Sequence, residues 1–137
     1  MARIILDASP LVALLDQDET HHAWTVEQAR KLPERLFTCD AVLTEAFFLI
    51  SRNEIPGGHL RSLLQRGKVV SDLASNQLLP RILELMETYR DVPMSFADAC
   101  LVCMVEQNPG SMVFTLDRDF TIYRQHRRRV IPRIAPF

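Results

Sequence analysis

The chain has 137 residues, of which 47% are hydrophobic and 24% are charged, and its formal net charge is −1. This balance is typical of a globular protein and excludes a disordered chain, and the length predicts a single domain over residues 1–137. A net charge this close to zero gives no sign of nucleic-acid binding through bulk electrostatics.

Apolar runs and cysteines together predict the cellular compartment of the protein. No apolar run is long enough to span a bilayer, and Asp7 interrupts the first run too early for a signal peptide. Cys100 and Cys103 form a C-x-x-C inside an apolar helical pattern, no second pair completes a zinc site, and Cys39 is isolated. We therefore expect buried core thiols in a cytoplasmic protein that does not enter a membrane.

The chain begins with a strand and two helices. The apolar run over 3–7 predicts a short buried strand. Ser9 then supplies a helix N-cap, and Pro10 occupies the first helical position. After a polar break, Thr20 is the predicted cap of a second helix that ends near Lys31.

The middle of the chain repeats this alternation. Residues 36–39 are a second strand candidate, and Asp40 is the predicted cap of a helix that runs to about Arg52. A helical segment over 59–65 and a short third strand over 68–70 follow.

The last part contains the clearest elements. Apolar residues at helical spacing predict a helix over 76–90 and another over 96–107. A turn at Asn108-Pro109-Gly110 precedes a strand over 111–117, and a short helix over 120–124 and a last strand over 129–131 follow. Strands that alternate with helices predict a three-layer α/β/α sandwich with a mostly parallel central sheet.

Four acids stand where an apolar core does not favour them. Asp7 and Asp117 end apolar strands, while Glu45 and Asp98 interrupt apolar helical segments. A lone ionised carboxylate in such surroundings is costly unless it is paired, hydrogen-bonded or bound to a metal. Because the ends of parallel strands and the starts of the following helices meet at one sheet edge, the four acids can converge.

Some of these acids have structural explanations. Asp7 could simply end its strand, whereas helix capping does not require Glu45. Ser95 and Asp98 resemble a capping box, so Asp98 could serve the helix alone. Asp117 and Asp119 are alternative metal ligands. Because Asp119 could instead be a helix N-cap, we favour Asp117 as the ligand.

Converging carboxylates indicate a hard divalent cation. Mg²⁺ binds few protein oxygens and is completed by waters and substrate phosphates, which favours metal-assisted phosphodiester hydrolysis with one or two ions. Ser9 and Thr115 lie next to Asp7 and Asp117 in sequence, so their hydroxyls could orient carboxylates or the waters of the metal.

Two other clusters of charged or metal-ligating residues are candidate sites. His21 and His22 lie near several acids, but adjacent histidines on a helix diverge, so we expect an exposed helix start instead of a metal site. Five arginines near the C-terminus form either a solvated charge run or a phosphate-binding surface: Arg124, Arg127, Arg128, Arg129 and Arg133.

The acidic motifs together resemble those of the PIN domain family. The opening Ile4-Ile5-Leu6-Asp7-Ala8-Ser9 is similar to the start of such a domain. The later motifs follow in the family's order, and the resemblance covers essentially the whole chain: Thr44-Glu45, Phe96-Ala97-Asp98-Ala99 and Phe114-Thr115-Leu116-Asp117-Arg118-Asp119.

The resemblance implies a Mg²⁺- or Mn²⁺-dependent ribonuclease, most similar to the VapC toxins of toxin–antitoxin pairs. It implies that Asp7, Glu45, Asp98 and Asp117 are the metal ligands and catalytic residues, supported by Ser9, Thr115 and the auxiliary Asp119. Expected partners are an RNA substrate, a VapB-like antitoxin and a second copy of the chain. We further expect the basic segment, through Arg127, Arg128 and Arg129, to hold the RNA backbone.

The sequence lacks residues that two other functional classes require. A receiver domain requires an adjacent acidic pair after the first strand and a late lysine, and neither is present. A phosphatase with an aspartate nucleophile requires a second aspartate where Ser9 stands. The stronger alternative is an RNA- or protein-binding module of the same fold, in which nuclease activity is incidental or missing.

Overall fold

The computed structural model describes residues 2–137, and in it helices flank a central sheet of five parallel strands. The strands, in chain order, are β1 (Ile4–Leu6), β2 (Leu36–Thr38), β3 (Val69–Ser71), β4 (Met112–Phe114), β5 (Arg124–Gln125), β6 (Arg129–Val130) and β7 (Arg133–Ile134). The helices are α1 (Ala8–Leu15), α2 (His22–Lys31), α3 (Asp40–Arg52), α4 (Gly58–Gln65), α5 (Leu79–Thr88) and α6 (Phe96–Gln107), with a 3-10 helix at Arg118–Thr121. The predicted α/β/α class is confirmed.

The strand order places a topological switch at the centre of the sheet. The order is β3-β2-β1-β4-β7, so β1 pairs with β2 on one side and with β4 on the other. The chain winds outward through β3, and α5 and α6 then connect it to β4 on the opposite side of β1. In parallel sheets, ligands bind beyond the carboxyl ends of the strands at such a switch.

Helix α6 is the central helix of the core. Eight of its residues are buried, and Leu101 and Met104 are completely inaccessible to solvent. A helix that is apolar on all sides is stable only when other elements surround it. Truncation of either side chain to alanine is expected to cost about 2–5 kcal/mol. This packing holds the first turn of α6 rigidly in place.

Aromatic packing fastens the segment after β4 to the core. The rings of Phe120 and Tyr123 are completely buried and meet edge to face, with centroids 5.0 Å apart. Tyr89, which follows α5, packs edge to face on Tyr123 at 5.1 Å. The 3-10 helix and the residues after it are therefore anchored against α5 and α6.

The predicted cap at Ser9 is wrong. Helix α1 begins at Ala8, and Asp7 is its N-cap, with a side-chain oxygen that accepts the Ala8 N–H at 2.7 Å. The Ser9 hydroxyl instead accepts the backbone N–H of Leu116 at 3.2 Å. The Ser9 hydroxyl therefore bonds to a residue that follows a distant strand, and it does not cap the helix as the local pattern predicts.

The predicted caps at Asp40 and Thr20 are also wrong. Asp40 is the first residue of α3, and its carboxylate accepts the Ser71 hydroxyl at 2.5 Å. Hydrogen-bonded turns extend the break after α1 until His22, whose N–H donates to the Glu19 carbonyl at 3.0 Å, so Thr20 lies outside α2.

Two predicted elements are shorter than expected. Helix α5 begins at Leu79, because a turn from Ser75 to Leu78 precedes it and Pro80 is tolerated only in a first turn. Strand β4 ends at Phe114, and the chain then leaves the sheet.

The C-terminal elements differ most from the predictions. The helix expected over 120–124 is a 3-10 turn over 118–121. The strand expected over 129–131 pairs antiparallel with β5 in a hairpin, whose turn contains His126 and Arg127 at positive φ. Val130 is 57% exposed, so β6 does not contribute a core strand, and β7 joins the central sheet instead.

The three cysteines are buried and unpaired, as predicted. No helix in residues 2–137 is long and apolar enough to cross a membrane.

Candidate metal centre

Three aspartates meet at the carboxyl edge of the sheet. Asp7, Asp98 and Asp117 each present a carboxylate oxygen, and these oxygens all lie within 4.8 Å of one another. The residues come from the end of β1, the first turn of α6 and the loop after β4. The cluster therefore lies at the switch between β1 and β4, where the fold predicts a ligand site.

The register of the sheet brings Asp7 and Asp117 together. Leu6 is paired with Phe114, and the Asp7 N–H donates to the Phe114 carbonyl at 3.0 Å. The residues that follow the two strands therefore leave the same edge side by side. Asp98 joins them because α6 packs against both strands.

Thr115 links the two strand-end aspartates. Its hydroxyl donates to Asp7 Oδ2 at 2.7 Å and accepts the Asp117 N–H at 2.9 Å. Thr115 and Asp7 are both buried, so the hydrogen bond between them is shielded from water. The hydroxyl therefore restricts the orientation of the Asp7 carboxylate.

Two hydrogen bonds hold Asp98. The Ser95 hydroxyl accepts the Asp98 N–H at 3.0 Å, so the predicted capping interaction at the start of α6 is confirmed. The cap uses only the backbone of Asp98. The carboxylate is therefore free to face the cluster, where Tyr123 donates its phenolic O–H to Oδ2 at 2.9 Å.

Sequence reasoning missed Tyr123. A completely buried tyrosine needs a hydrogen-bond partner for its O–H, and that requirement was the available signal. The partner, however, lies 25 positions earlier in the chain, and only the tertiary structure identifies it.

Asp117, not Asp119, is the cap of the 3-10 helix. Asp117 Oδ1 accepts the Asp119 N–H at 2.9 Å, which corrects the suggested cap role of Asp119. The Asp119 carboxylate lies outside the group of three, and its pKa is raised by burial and then by the charge of Asp117.

Glu45 differs from its predicted environment. The sequence places it in an apolar segment, but it lies on the exposed side of α3, because the apolar residues of that helix face the core. It also lies outside the 4.8 Å group in the described residues. Its charge nevertheless contributes to the raised pKa of Asp98, so it lies at the rim of the cluster.

Burial, reinforced by mutual repulsion, raises the pKa values of the clustered acids. Burial raises the pKa of Asp7 to about 7, and the charges of Asp98 and Asp117 add to this effect while the Thr115 hydrogen bond opposes it. Burial likewise raises the pKa of Asp98, opposed by Tyr123 and reinforced by Asp117. Within residues 2–137, no lysine or arginine forms a salt bridge with any of these acids.

The donor set fits a hard divalent cation. Three carboxylates offer only oxygen ligands, as Mg²⁺ and Mn²⁺ prefer, and leave coordination positions for water and phosphate. The missing counter-charge and the raised pKa values are what such a cation would compensate.

The remaining predicted residues lie elsewhere. The Ser9 hydroxyl supports the loop before Asp117 through Leu116. Arg127 forms a salt bridge with Glu84 at 2.7 Å, and the neighbouring His126 N–H donates to Glu106, near the opposite end of α6 from Asp98. The structure therefore does not bring Arg127 to the carboxylates, and the role predicted for Arg127, Arg128 and Arg129 stays a prediction.

The histidine pair is not a fully exposed helix start. Both rings are partly buried, and His22 Nδ1 lies 2.6 Å from the Ala13 carbonyl oxygen. His22 therefore packs α2 onto α1.

Comparisons with known proteins agree with this architecture. The PIN domain family model matches residues 4–125. The crystal structure of Mycobacterium tuberculosis VapC20, described as a sarcin–ricin loop cleaving toxin, is similar in fold, with a TM-score of 0.76 and 20% sequence identity. The superposition covers 92% of this chain and 98% of that chain. No curated protein gives a significant match to the sequence.

Proposed function

The chain belongs to the PIN domain family, and from this premise we propose that it is a divalent-metal-dependent endoribonuclease of the VapC type. The observation that carries the proposal is the convergence of Asp7, Asp98 and Asp117, none of which forms a salt bridge with a lysine or arginine in residues 2–137. Three carboxylates this close repel one another and so do not stabilise a core, whereas a metal-dependent phosphodiester hydrolase uses such a centre to hold its cation.

The three aspartates would hold Mg²⁺ or Mn²⁺, with Glu45 at the rim as a fourth carboxylate. When bound, the cation supplies Lewis acidity, which favours deprotonation of the attacking water and stabilises charge on the phosphate.

The other residues of the site orient the metal-binding carboxylates or the loop that carries one of them. Thr115 and Tyr123 each donate a hydrogen bond to a metal-binding carboxylate, and this limits the rotation of Asp7 and Asp98. Tyr123 stays protonated as a donor, because burial and the charge of Asp98 raise its pKa. Ser9 supports the loop that carries Asp117.

We propose that the chain acts as the toxin of a toxin–antitoxin pair, in the cytoplasm and as a homodimer. The support is the family and the fold that it shares with VapC20, a toxin described as cleaving the sarcin–ricin loop. The proposed partners are an RNA substrate and a VapB-like antitoxin, which inhibits by covering the acidic centre.

The experiment measures cleavage of an RNA panel by pure protein with Mg²⁺, with Mn²⁺ or with EDTA. We expect metal-dependent cleavage by the wild type, loss of cleavage in Asp98→Asn and Asp117→Asn, and full activity in Glu27→Gln. Glu27 is an exposed acid of α2 with only loose surface ion pairs, so it is a matched control for loss of a charge.

The outcomes separate the candidate functions. Equal cleavage by wild type and aspartate variants would indicate a contaminating nuclease and contradict the proposal. Metal-independent RNA binding without cleavage would instead support the alternative of a binding module.

A further inference from the structure

Two arginines and a phenylalanine form a cationic group beside the aspartates. The guanidinium carbon of Arg118 lies over the Phe137 ring at 4.7 Å from its centroid, and that of Arg133 lies at 5.6 Å. We call Arg118 and Arg133 the arginine pair. Stacking on an aromatic face holds a guanidinium in place without consuming its hydrogen-bond donors.

The sheet topology places the arginine pair at the same edge as the metal centre. β7 is the parallel neighbour of β4, and Ile134 is paired with Phe114. Phe137 follows the end of β7 by three residues, as Asp117 follows the end of β4. Arg118 is the residue directly after Asp117 and is exposed.

The pair is not committed to the protein's own acids. Neither arginine forms a salt bridge within residues 2–137, and Arg133 Nε is buried there without a hydrogen-bond partner. Two neighbouring arginines of the C-terminal segment are committed to partners within the chain. Arg127 pairs with Glu84, and Arg124 donates to three backbone carbonyls.

We propose that the arginine pair binds phosphate groups of single-stranded RNA next to the bond that the metal centre cleaves, and that Phe137 is the positioning residue that holds both guanidinium groups. This inference rests on the proposed function. Guanidinium groups recognise phosphate through paired N–H donors. Two unneutralised cations beside three acids offset the repulsion that a polyanion would otherwise meet at this edge.

The inference changes the predicted path of the RNA. The sequence assigned the backbone contact to Arg127, Arg128 and Arg129, which lie on the hairpin between β5 and β6. The arginine pair instead lies on the β4–β7 side of the metal centre. Substitutions on the two surfaces should therefore have different effects on the KM for RNA.

The first test measures steady-state cleavage of a single-stranded RNA by Arg118→Ala and Arg133→Ala. We expect KM to rise about tenfold in each variant with little change in kcat, because a charged hydrogen bond to substrate is lost. The dependence of log KM on log salt should become shallower by about 0.7 for each lost phosphate contact. Arg30→Ala, an exposed arginine of α2, is the matched control, and Arg128→Ala reports on the hairpin surface.

The second test examines the positioning role of Phe137. Phe137→Ala should raise KM about threefold and leave the thermal midpoint nearly unchanged, and Phe137→Trp should restore KM because it keeps an aromatic face. A merely structural role would instead lower the thermal midpoint and would not change the salt dependence.

The outcomes distinguish this inference from the function on which it rests. If the wild type cleaves RNA but the arginine variants keep the KM and salt slope of Arg30→Ala, the inference is wrong and the nuclease stands. A loss of binding to an acidic protein partner with an unchanged KM for RNA also overturns it. If no RNA is cleaved, fluorescence anisotropy with the same RNA still tests the pair, and equal affinities of wild type and Arg118→Ala would reject it.

Discussion

Helix α6 contributes one acid to each of two charged clusters. One acid is paired with an arginine, and the other lies among further acids. Near its C-terminus, Glu106 accepts two hydrogen bonds from Arg81, at 3.0 and 2.8 Å, and one from the His126 N–H at 2.6 Å. Burial alone would raise the pKa of Glu106, but Arg81 and His126 outweigh burial and lower it. In the first turn of α6, Asp98 faces two other acids, and its pKa is raised.

From this difference we expect the Glu106 cluster to stabilise the fold and the Asp98 cluster to serve the proposed function. Asp98 and Glu106 are eight residues apart, or about 12 Å along the same helix. At Glu106 the chain supplies the counter-charge itself. At Asp98 it supplies hydrogen bonds but no salt bridge within residues 2–137, and the proposed cation would supply the counter-charge.

The largest expected effect comes from Asp7→Asn. We expect cleavage to fall by about 100- to 1000-fold, because a charged ligand of the centre is lost. The metal-free protein should become more stable, because the substitution removes a buried charge that its neighbours repel. RNA cleavage rates and urea unfolding in EDTA measure the two effects. A variant that is less stable and less active would contradict the comparison.

Breaking the paired cluster should have the opposite profile. Arg81→Ala leaves Glu106, whose side chain is 11% exposed, without its cation, so we expect a loss of about 3 kcal/mol in the free energy of unfolding and little change in kcat. Arg90→Ala, which removes an exposed ion pair with Glu87, should cost about 0.5 kcal/mol or less. Equal losses of unfolding free energy in the two variants would show that the Arg81–Glu106 pair stabilises the fold no more than an exposed ion pair does.

The two clusters should also respond oppositely to pH. The pKa of Asp7 is about 7 in the folded protein and 3.8 as its ordinary value, so between these values the folded state binds more protons than the unfolded state. Stability in EDTA should therefore increase as pH falls from 7, by up to about 1.4 kcal/mol per pH unit.

The Glu106 pKa is lowered, so its contribution is present above about pH 4.5 and is lost as pH falls through the folded value. Urea titrations of the wild type and Asp7→Asn from pH 8 to pH 3 test the contrast. A wild-type slope that Asp7→Asn retains would show that another group causes it.

The smallest expected effect comes from Tyr123→Phe. Loss of the hydrogen bond to Asp98 should reduce cleavage about tenfold and stability by about 1 kcal/mol. Tyr89→Phe is the matched control, because the Tyr89 hydroxyl accepts the Arg124 N–H and does not touch the aspartates. Its stability should fall by a similar amount while its activity stays unchanged. Equal activities of the two variants would remove Tyr123 from the site.

Part of this protein could be predicted from the sequence because the signal was local. Short apolar runs that end in acids predict buried parallel strands with polar residues at their carboxyl ends, and β1 and β4 have this form. The all-apolar pattern of 96–107 likewise predicts a buried helix, and α6 has these bounds. The motif order then led to the family that the comparisons confirm.

Local hydrogen-bond assignments were less predictable. Ser9 and Asp40 have the right chemistry for helix caps, but distant residues compete for the same atoms, and Leu116 and Ser71 are their partners in the folded chain. Glu45 showed the related error for burial, because a helix segment can be apolar in sequence and still turn one residue to solvent.

The sequence by itself determined the α/β class, the central helix and the acids that could form a metal centre. Only the tertiary structure brings carboxylate oxygens of Asp7, Asp98 and Asp117 within 4.8 Å of one another. It alone gives Asp98 the hydrogen bond from Tyr123 and stacks Arg118 and Arg133 on one aromatic ring. The physical reason is that strand order and register are set by pairing between distant segments. Those pairings determine which charges meet at the sheet edge, and a one-dimensional pattern does not contain them.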